Sequence, residues 1–298
     1  YELQIAAWLH DCGKVTTPVH VMDKSTKLES IRDGMDAVRV RFEALKRELQ
    51  LDHVIGGGAL DDAALAAQLS EVDDDLAFLE TSNIGGEFLD GDKKARIRAI
   101  GARTWQCGDA RQPLLTEEEI ANLCVERGTL TQDERLVING HMVQTVKMLE
   151  SLPFPRDLKR VPEYAGGHHE TMDGRGYPKG IFAGDMSVPA RCMAIADVFE
   201  ALTATDRPYK PGKPLSESMM IMGRMKQGNH LDPDLLDLFV RSGVYRAYAE
   251  RYMKPELIDE VDEAALLAIE PEPFELPPDD VRAERWRDFR EEYKPLEK

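Results

Sequence analysis

Apolar positions recur at three- and four-residue spacing along most of this chain, and almost no stretch alternates. That periodicity belongs to helices, so the pattern predicts an all-α fold. Leu3, Ala6, Ala7 and Leu9 lead into His10 as the end of a buried helix, which Gly13 then ends or loosens. A second helix is expected over Thr129–Leu152, with Thr131 as N-cap and Glu134 completing a capping box. Ser187-Val188-Pro189 opens a third that runs through Thr203, with proline in its first turn. Leu215–Lys226 and Pro233–Tyr252 continue the helical pattern, and a short hairpin within Tyr177–Pro189 is the one strand-like feature expected.

Between these elements lie two heptad seams. Ile31, Met35, Val38, Phe42, Leu45 and Leu49 form the first; Leu65, Leu69, Val72, Leu76 and Leu79 form the second, beyond a break at Gly56-Gly57-Gly58. Two such seams joined by glycines predict an antiparallel helical hairpin. A two-helix hairpin buries little by itself, so it should find a third helix, either Asp92–Trp105 or the same arm of a second copy. The second alternative makes a homodimer the expected assembly. Asp73-Asp74-Asp75 reads as a solvated helix face, because the loop spacing of a calcium site is missing.

The formal net charge is -17, which argues against binding a nucleic-acid polymer. Over half of that excess lies in Pro255–Lys298, where 15 acidic residues face 6 basic ones. After Glu270 the chain is rich in proline and charge, and is expected to wrap the domain or stay extended, with Trp286 and Phe289 as anchors. There is no run of 18 apolar residues, and Cys12, Cys107, Cys124 and Cys192 show no metal-finger spacing, so a cytoplasmic setting with free thiols is expected. Because the chain opens at Tyr1 inside a helical pattern, it reads as a piece of a longer protein.

The chemistry is concentrated in two blocks, His10-Asp11-Cys12-Gly13-Lys14 and His168-His169-Glu170-Thr171-Met172-Asp173-Gly174-Arg175-Gly176-Tyr177-Pro178. Both lie against apolar runs, where an unpartnered polar side chain costs several kcal/mol. A His-Asp and a His-His doublet supply what two cations need, imidazole nitrogens and a carboxylate able to bridge. Asp197 lies in Ala194-Ile195-Ala196-Asp197-Val198-Phe199, a carboxylate inside an apolar helix for which a metal is the usual remedy. His20, His53 and His230 have no such setting.

These blocks resemble the signatures of the HD-GYP phosphodiesterases, a branch of the HD metal-dependent phosphohydrolases that act on cyclic di-GMP. The resemblance covers Leu3 to about Thr26 and Gly128 to about Tyr252. It implies an HD-domain helical bundle, split into residues 1–26 and 128–252, with 27–127 inserted as a helical-hairpin region and 253–298 as an acidic extension. It also implies that His141 is a ligand, giving the set His10, Asp11, His141, His168, His169 and Asp197. The cofactors implied are two or three divalent cations, iron or manganese by the family's habit, with zinc as an alternative. The family draws further ligands from a helix before the His-Asp doublet, which lies outside this sequence.

The mechanism implied is hydrolysis of cyclic di-GMP to pGpG or GMP. Asp11 is expected to bridge two cations that activate a water for in-line attack on phosphorus, with Lys14 stabilising charge on the phosphate. Arg175, Arg207, Lys210 and Lys213 are the further expected substrate contacts, with Arg191 another nearby base. In relatives the Gly-Tyr-Pro loop is linked to contacts with diguanylate cyclase domains. Two other readings stay open: an HD phosphohydrolase acting on another nucleotide, and a cyclic-dinucleotide receptor without catalysis.

Overall fold

The computed structural model describes residues 1–56, 61–86, 88–204 and 212–282. Its helices are α1 (Glu2–Leu9), α2 (Val19–Met22), α3 (Met35–Ile55), α4 (Asp62–Asn83), α5 (Gly91–Ala102), α6 (Glu117–Leu123) and α7 (Gln132–Glu150). They continue with α8 (Val161–Gly166), α9 (Val188–Thr203), α10 (Leu215–Gln227), α11 (Pro233–Arg241), α12 (Val244–Tyr252) and α13 (Glu263–Leu267). Two four-residue strands, β1 (Thr104–Cys107) and β2 (Ala110–Pro113), are the sheet among the described residues, so the class is all-α. The chain divides into two compact units, residues 1–17 with 139–298 and residues 18–138.

In the 18–138 unit, α3 and α4 pair antiparallel. Arg39 reaches Glu80 at 2.6 Å while Lys46 reaches Asp73 at 2.9 Å, so residues rising along one helix meet residues falling along the other. Met35, Val38, Phe42 and Leu45 face Val72 and Leu79 in a buried cluster. Ile31 departs from the expected seam: it precedes the helix and is 90% exposed. The expected third helix is α5, whose Ile97 and Ile100 join the same cluster with Leu114, Leu115 and Leu123. The hairpin's apolar stripe is thus covered inside the unit.

Three features, two in this unit and one in the other, correct the sequence reading. Asp75 is buried rather than solvated, because Arg96 at 3.1 Å and Arg103 at 2.8 Å converge on its carboxylate from α5 and the residue after it. The β-hairpin falls at Thr104–Pro113, where Gly108-Asp109 makes a two-residue turn and Glu48 accepts the Gln106 amide. No ladder forms over Tyr177–Pro189 beyond a single Asp173–Phe182 bridge, since the Lys179 and Ile181 amides are already donated to Glu170. Gly57 and Gly58 lie outside the described residues; Gly56 caps α3 as the break requires.

In the unit of residues 1–17 and 139–298, α9 to α13 enclose the larger apolar cluster, with Phe199, Leu215, Met219, Leu236 and Tyr245 at its centre. The expected Pro233–Tyr252 helix is two helices, because the chain turns at Gly243 with φ 66°. The first helix is also less buried than expected: Ala6 is enclosed, while Trp8 is 71% exposed. The capping box of Thr131 and Glu134 opens α7 as the sequence predicts, with bonds of 2.8 and 3.3 Å. Downstream of Glu270 the chain forms no regular element until a helical turn at residues 279–282, its Glu272 amide bonded to the Gln227 carbonyl and Arg282 paired with Asp185. Trp286 and Phe289 lie outside the described residues.

Candidate metal centre

His10 ends α1, and Asp11 leads into a one-turn 3-10 helix at Cys12–Thr16. That turn lies directly on α7: a Cβ on Gly13 would stand 2.0 Å from the His141 carbonyl oxygen. Glycine is therefore required by close approach as well as by the helix end, and the contact brings the His-Asp doublet onto the helix that carries His141. α8 stops at Gly166, and the chain turns through Gly167 to present His168 and His169. Asp197 comes from α9.

All six expected side chains meet. Asp11, His141, His168 and His169 each offer a ligand atom within 4.8 Å of the others, and so do His10, Asp11 and Asp197. Asp11 belongs to both groups. Its Oδ1 lies 3.3 Å from His141 Nε2 and its Oδ2 3.2 Å from His10 Nε2. His10 Nε2 is also 3.6 Å from Asp197 Oδ1.

Two of the imidazoles are oriented in the same way. His10 Nδ1 contacts the Ala7 carbonyl at 2.6 Å, and His168 Nδ1 contacts the Ala165 carbonyl at 2.8 Å. A carbonyl only accepts, so each Nδ1 carries a proton, and the neutral His168 keeps its lone pair on Nε2. His168 Nε2 is buried without a hydrogen-bond partner among the described residues. A bare imidazole lone pair enclosed beside a carboxylate suits a cation, so the residues present fit divalent metal ions.

Burial holds His168 neutral, lowering its pKa to about 4, and burial with the neighbouring His168 lowers His169 to about 3. His10 moves the other way, raised to about 10 by hydrogen bonds to Asp11 and Asp197. For Asp11 burial works upward, yet the bonds from His10, His141 and Lys14 prevail and hold it well below the usual carboxylate range. Asp197 is likewise lowered: burial opposes it, and the bond from His10 with the nearby His168 and His169 outweighs burial.

The expected phosphate contacts are less uniform. Lys14 places its ammonium 2.5 Å from Asp11 Oδ2, on the shared carboxylate itself. Arg175 is bound to Asp173 and to the Gly228 carbonyl, and Lys213 is paired with Glu217. Arg191 is not a free base, because it pairs with buried Asp232. Arg207 and Lys210 lie outside the described residues. His20 lies on α2 and His53 on α3, where His53 Nε2 is 3.3 Å from Asp62.

Sequence reasoning missed Glu170. It is fully buried, and its carboxylate accepts the Lys179 amide at 2.7 Å and the Ile181 amide at 3.1 Å. Burial raises its pKa to about 7. The loop it holds crosses so closely that a Cβ on Gly176 would meet the Glu170 Cα at 2.4 Å. Tyr177 then stacks on His169, with ring centroids 4.8 Å apart. A glutamate after a His doublet in an apolar setting was the available signal.

Residues 114–235 match the HD domain family. The match includes His141, His168, His169 and Asp197, while His10-Asp11 precedes it. The chain is 39% identical over 129 residues to 3′3′-cGAMP-specific phosphodiesterase 1 of Vibrio cholerae, covering 43% of this chain and 28% of that protein. It is 36% identical over 120 residues to a cyclic di-GMP phosphodiesterase of Pseudomonas aeruginosa, covering 40% and 28%. To a cyclic di-GMP phosphodiesterase of Thermotoga maritima it is 29% identical over 119 residues, covering 40% and 32%. The matched part therefore spans less than a third of each of these relatives. Residues 114–235 thus carry an HD-domain match, and the signature blocks beside and within it resemble those of the HD-GYP branch.

Proposed function

We propose that this chain is the catalytic part of a metal-dependent phosphodiesterase that hydrolyses a cyclic dinucleotide, cyclic di-GMP being the first candidate. The observation that carries the reading is the convergence of six nitrogen and oxygen donors around Asp11, with the His168 lone pair buried and unpartnered. His10, Asp11, His141, His168, His169 and Asp197 would hold two cations, with Asp11 shared between them. Mixed imidazole and carboxylate donors suit iron, manganese or zinc better than magnesium. When bound, such ions supply a Lewis acid for the phosphate and lower the pKa of a water.

The chain's own residues do the positioning. The Ala7 and Ala165 carbonyls hold His10 and His168 in the Nδ1-protonated form. Asp11, kept ionised, is ready to bridge, and Lys14 stands beside it with its side chain 41% exposed. From there the ammonium can turn to a non-bridging phosphate oxygen, the role assigned to it here together with Arg207 and Lys210. The names of the relatives, which cover both cyclic di-GMP and 3′3′-cGAMP phosphodiesterases, support the substrate class.

Turnover of cyclic di-GMP by protein stripped of metal and reloaded with iron, manganese or zinc tests the proposal. Formation of pGpG or GMP only in loaded protein is expected. Tight binding without turnover in every loaded form would instead favour a receptor. No helix among the described residues is long and apolar enough to cross a membrane, and we assign this part to the cytoplasm, where a diguanylate cyclase domain can reach the Gly-Tyr-Pro loop. We assign no ligand to residues 27–127. Their apolar seam is covered by α5 and α6, so a homodimer has to be sought through other surfaces. Replacing 27–127 by a glycine-serine linker and measuring mass and metal content together checks both statements.

A further inference from the structure

Beside the metal centre, the His169–Tyr177 segment and α10 line an open cleft of about 530 Å³. Sites for small organic ligands run from ~300 to ~1,000 Å³. Ile221 and Met225, one turn apart on α10, give it an apolar floor, and Tyr177 forms a wall whose ring also stacks on His169. Arg224 and His230 line the same cleft. Arg175 lines it too, but its guanidinium is occupied by Asp173 and the Gly228 carbonyl. The Arg224 guanidinium has no hydrogen bond or ion pair among the described residues, and the His230 ring makes no hydrogen bond there.

An apolar floor and an aromatic wall receive a flat ring by its faces. A spare guanidinium then reads the edge. Its parallel N–H groups match two adjacent acceptors, as guanine offers at O6 and N7. Adenine keeps N7 but puts an amino group at position 6, so a donor would confront a donor. The cleft abuts His169, so a base held in it has its sugar-phosphate within reach of the metal centre.

We propose that this cleft receives a purine base of the dinucleotide and that Arg224 selects guanine over adenine there. The inference rests on the phosphodiesterase reading for the identity of its ligand. It extends that reading from a reaction to a base preference.

The test is equilibrium binding to metal-depleted full chain, which separates recognition from hydrolysis. Dissociation constants are measured for cyclic di-GMP and cyclic di-AMP with the unaltered protein, Arg224→Gln and Ile221→Trp. The unaltered protein should prefer cyclic di-GMP. Arg224→Gln should reduce that preference by about tenfold or more, the scale of one bidentate arginine–guanine contact. Ile221→Trp, which fills the floor, should weaken both ligands together, and a melting temperature measured alongside checks its folding. An unchanged preference in Arg224→Gln, or no binding of either dinucleotide, overturns the proposal. If the preference shifts as expected while metal-loaded protein hydrolyses neither compound, the cleft stands and the phosphodiesterase reading fails. If cyclic di-GMP is hydrolysed and the preference is unmoved, the reverse holds.

Discussion

Gly13 donates its amide to Thr145 Oγ1 at 3.0 Å, joining residues 132 positions apart. The bond ties the turn after His10-Asp11 to the helix of His141, and the glycine's missing side chain allows the two backbones to touch. Gly13→Ala would put a methyl group 2.0 Å from the His141 carbonyl oxygen and 2.6 Å from the Thr145 amide nitrogen. Both obstacles are backbone and cannot swing aside. The substitution should lower stability by about 1–3 kcal/mol and reduce bound metal, as thermal melting and metal analysis would show. A normal melting temperature with full metal content would mean that the close approach is not needed.

Asp11 is common to both groups of side chains that could hold a metal ion. Asp11→Ala should therefore lose metal from the whole cluster and reduce turnover of cyclic di-GMP by at least ~100-fold, since a bridging ligand serves both ions. Asp197→Ala touches one group and should leave part of the metal in place. Metal per chain, measured for both variants by mass spectrometry, distinguishes them; equal losses would argue against a bridge.

The histidines give the metal-free protein a stability maximum near the ordinary imidazole value. His10 is raised from 6.5 to about 10, so its stabilisation is complete below 6.5 and is lost as pH climbs to about 10. His168 and His169 are lowered to about 4 and about 3, so their neutral packing is intact above 6.5 and is lost as pH falls toward those values. Melting temperatures of metal-depleted protein should fall on both sides of about 6.5. His10→Gln should flatten the alkaline side, and an unchanged alkaline slope would show that His10 does not carry it.

Glu170→Ala removes the acceptor for the Lys179 and Ile181 amides. Each donor left unsatisfied costs about 1–3 kcal/mol where water cannot replace the carboxylate. The loop should loosen and Tyr177 should lose its fixed place on His169. Proteolysis within residues 174–181 and a weaker metal affinity would report this, whereas unaltered protease resistance would count against a holding role.

Leu79→Ala tests the other unit. Leu79, on α4, is fully buried in the cluster that α4 shares with α3, where a leucine-to-alanine change typically costs about 2–5 kcal/mol. The helical hairpin should melt earlier by calorimetry, with the metal content of the folded protein unchanged if residues 27–127 supply no ligand. Loss of metal in step with the hairpin would show that they help to form the site.

Local signals were enough for most elements. The Thr131–Glu134 box, Pro189 in a first turn and the heptad spacing each act through neighbours within one or two turns, and α7, α9, α3 and α4 follow them closely. The residue types that meet at the candidate metal centre were legible too, because a polar residue inside an apolar run needs a partner wherever the chain goes. Burial was not legible where it depended on distant charge. Asp75 looks solvated in sequence until Arg96 and Arg103 arrive from beyond α4. Arg191 looks free until Asp232 meets it. Glu170 looks like one more polar residue until its loop folds back over it. By itself, then, the sequence determined the helices and the chemistry available to them, since both follow from short-range periodicity and residue type. Tertiary structure alone decided which charges are spent on one another and which remain for a ligand, because a side chain's partner is a matter of distance in space and not along the chain.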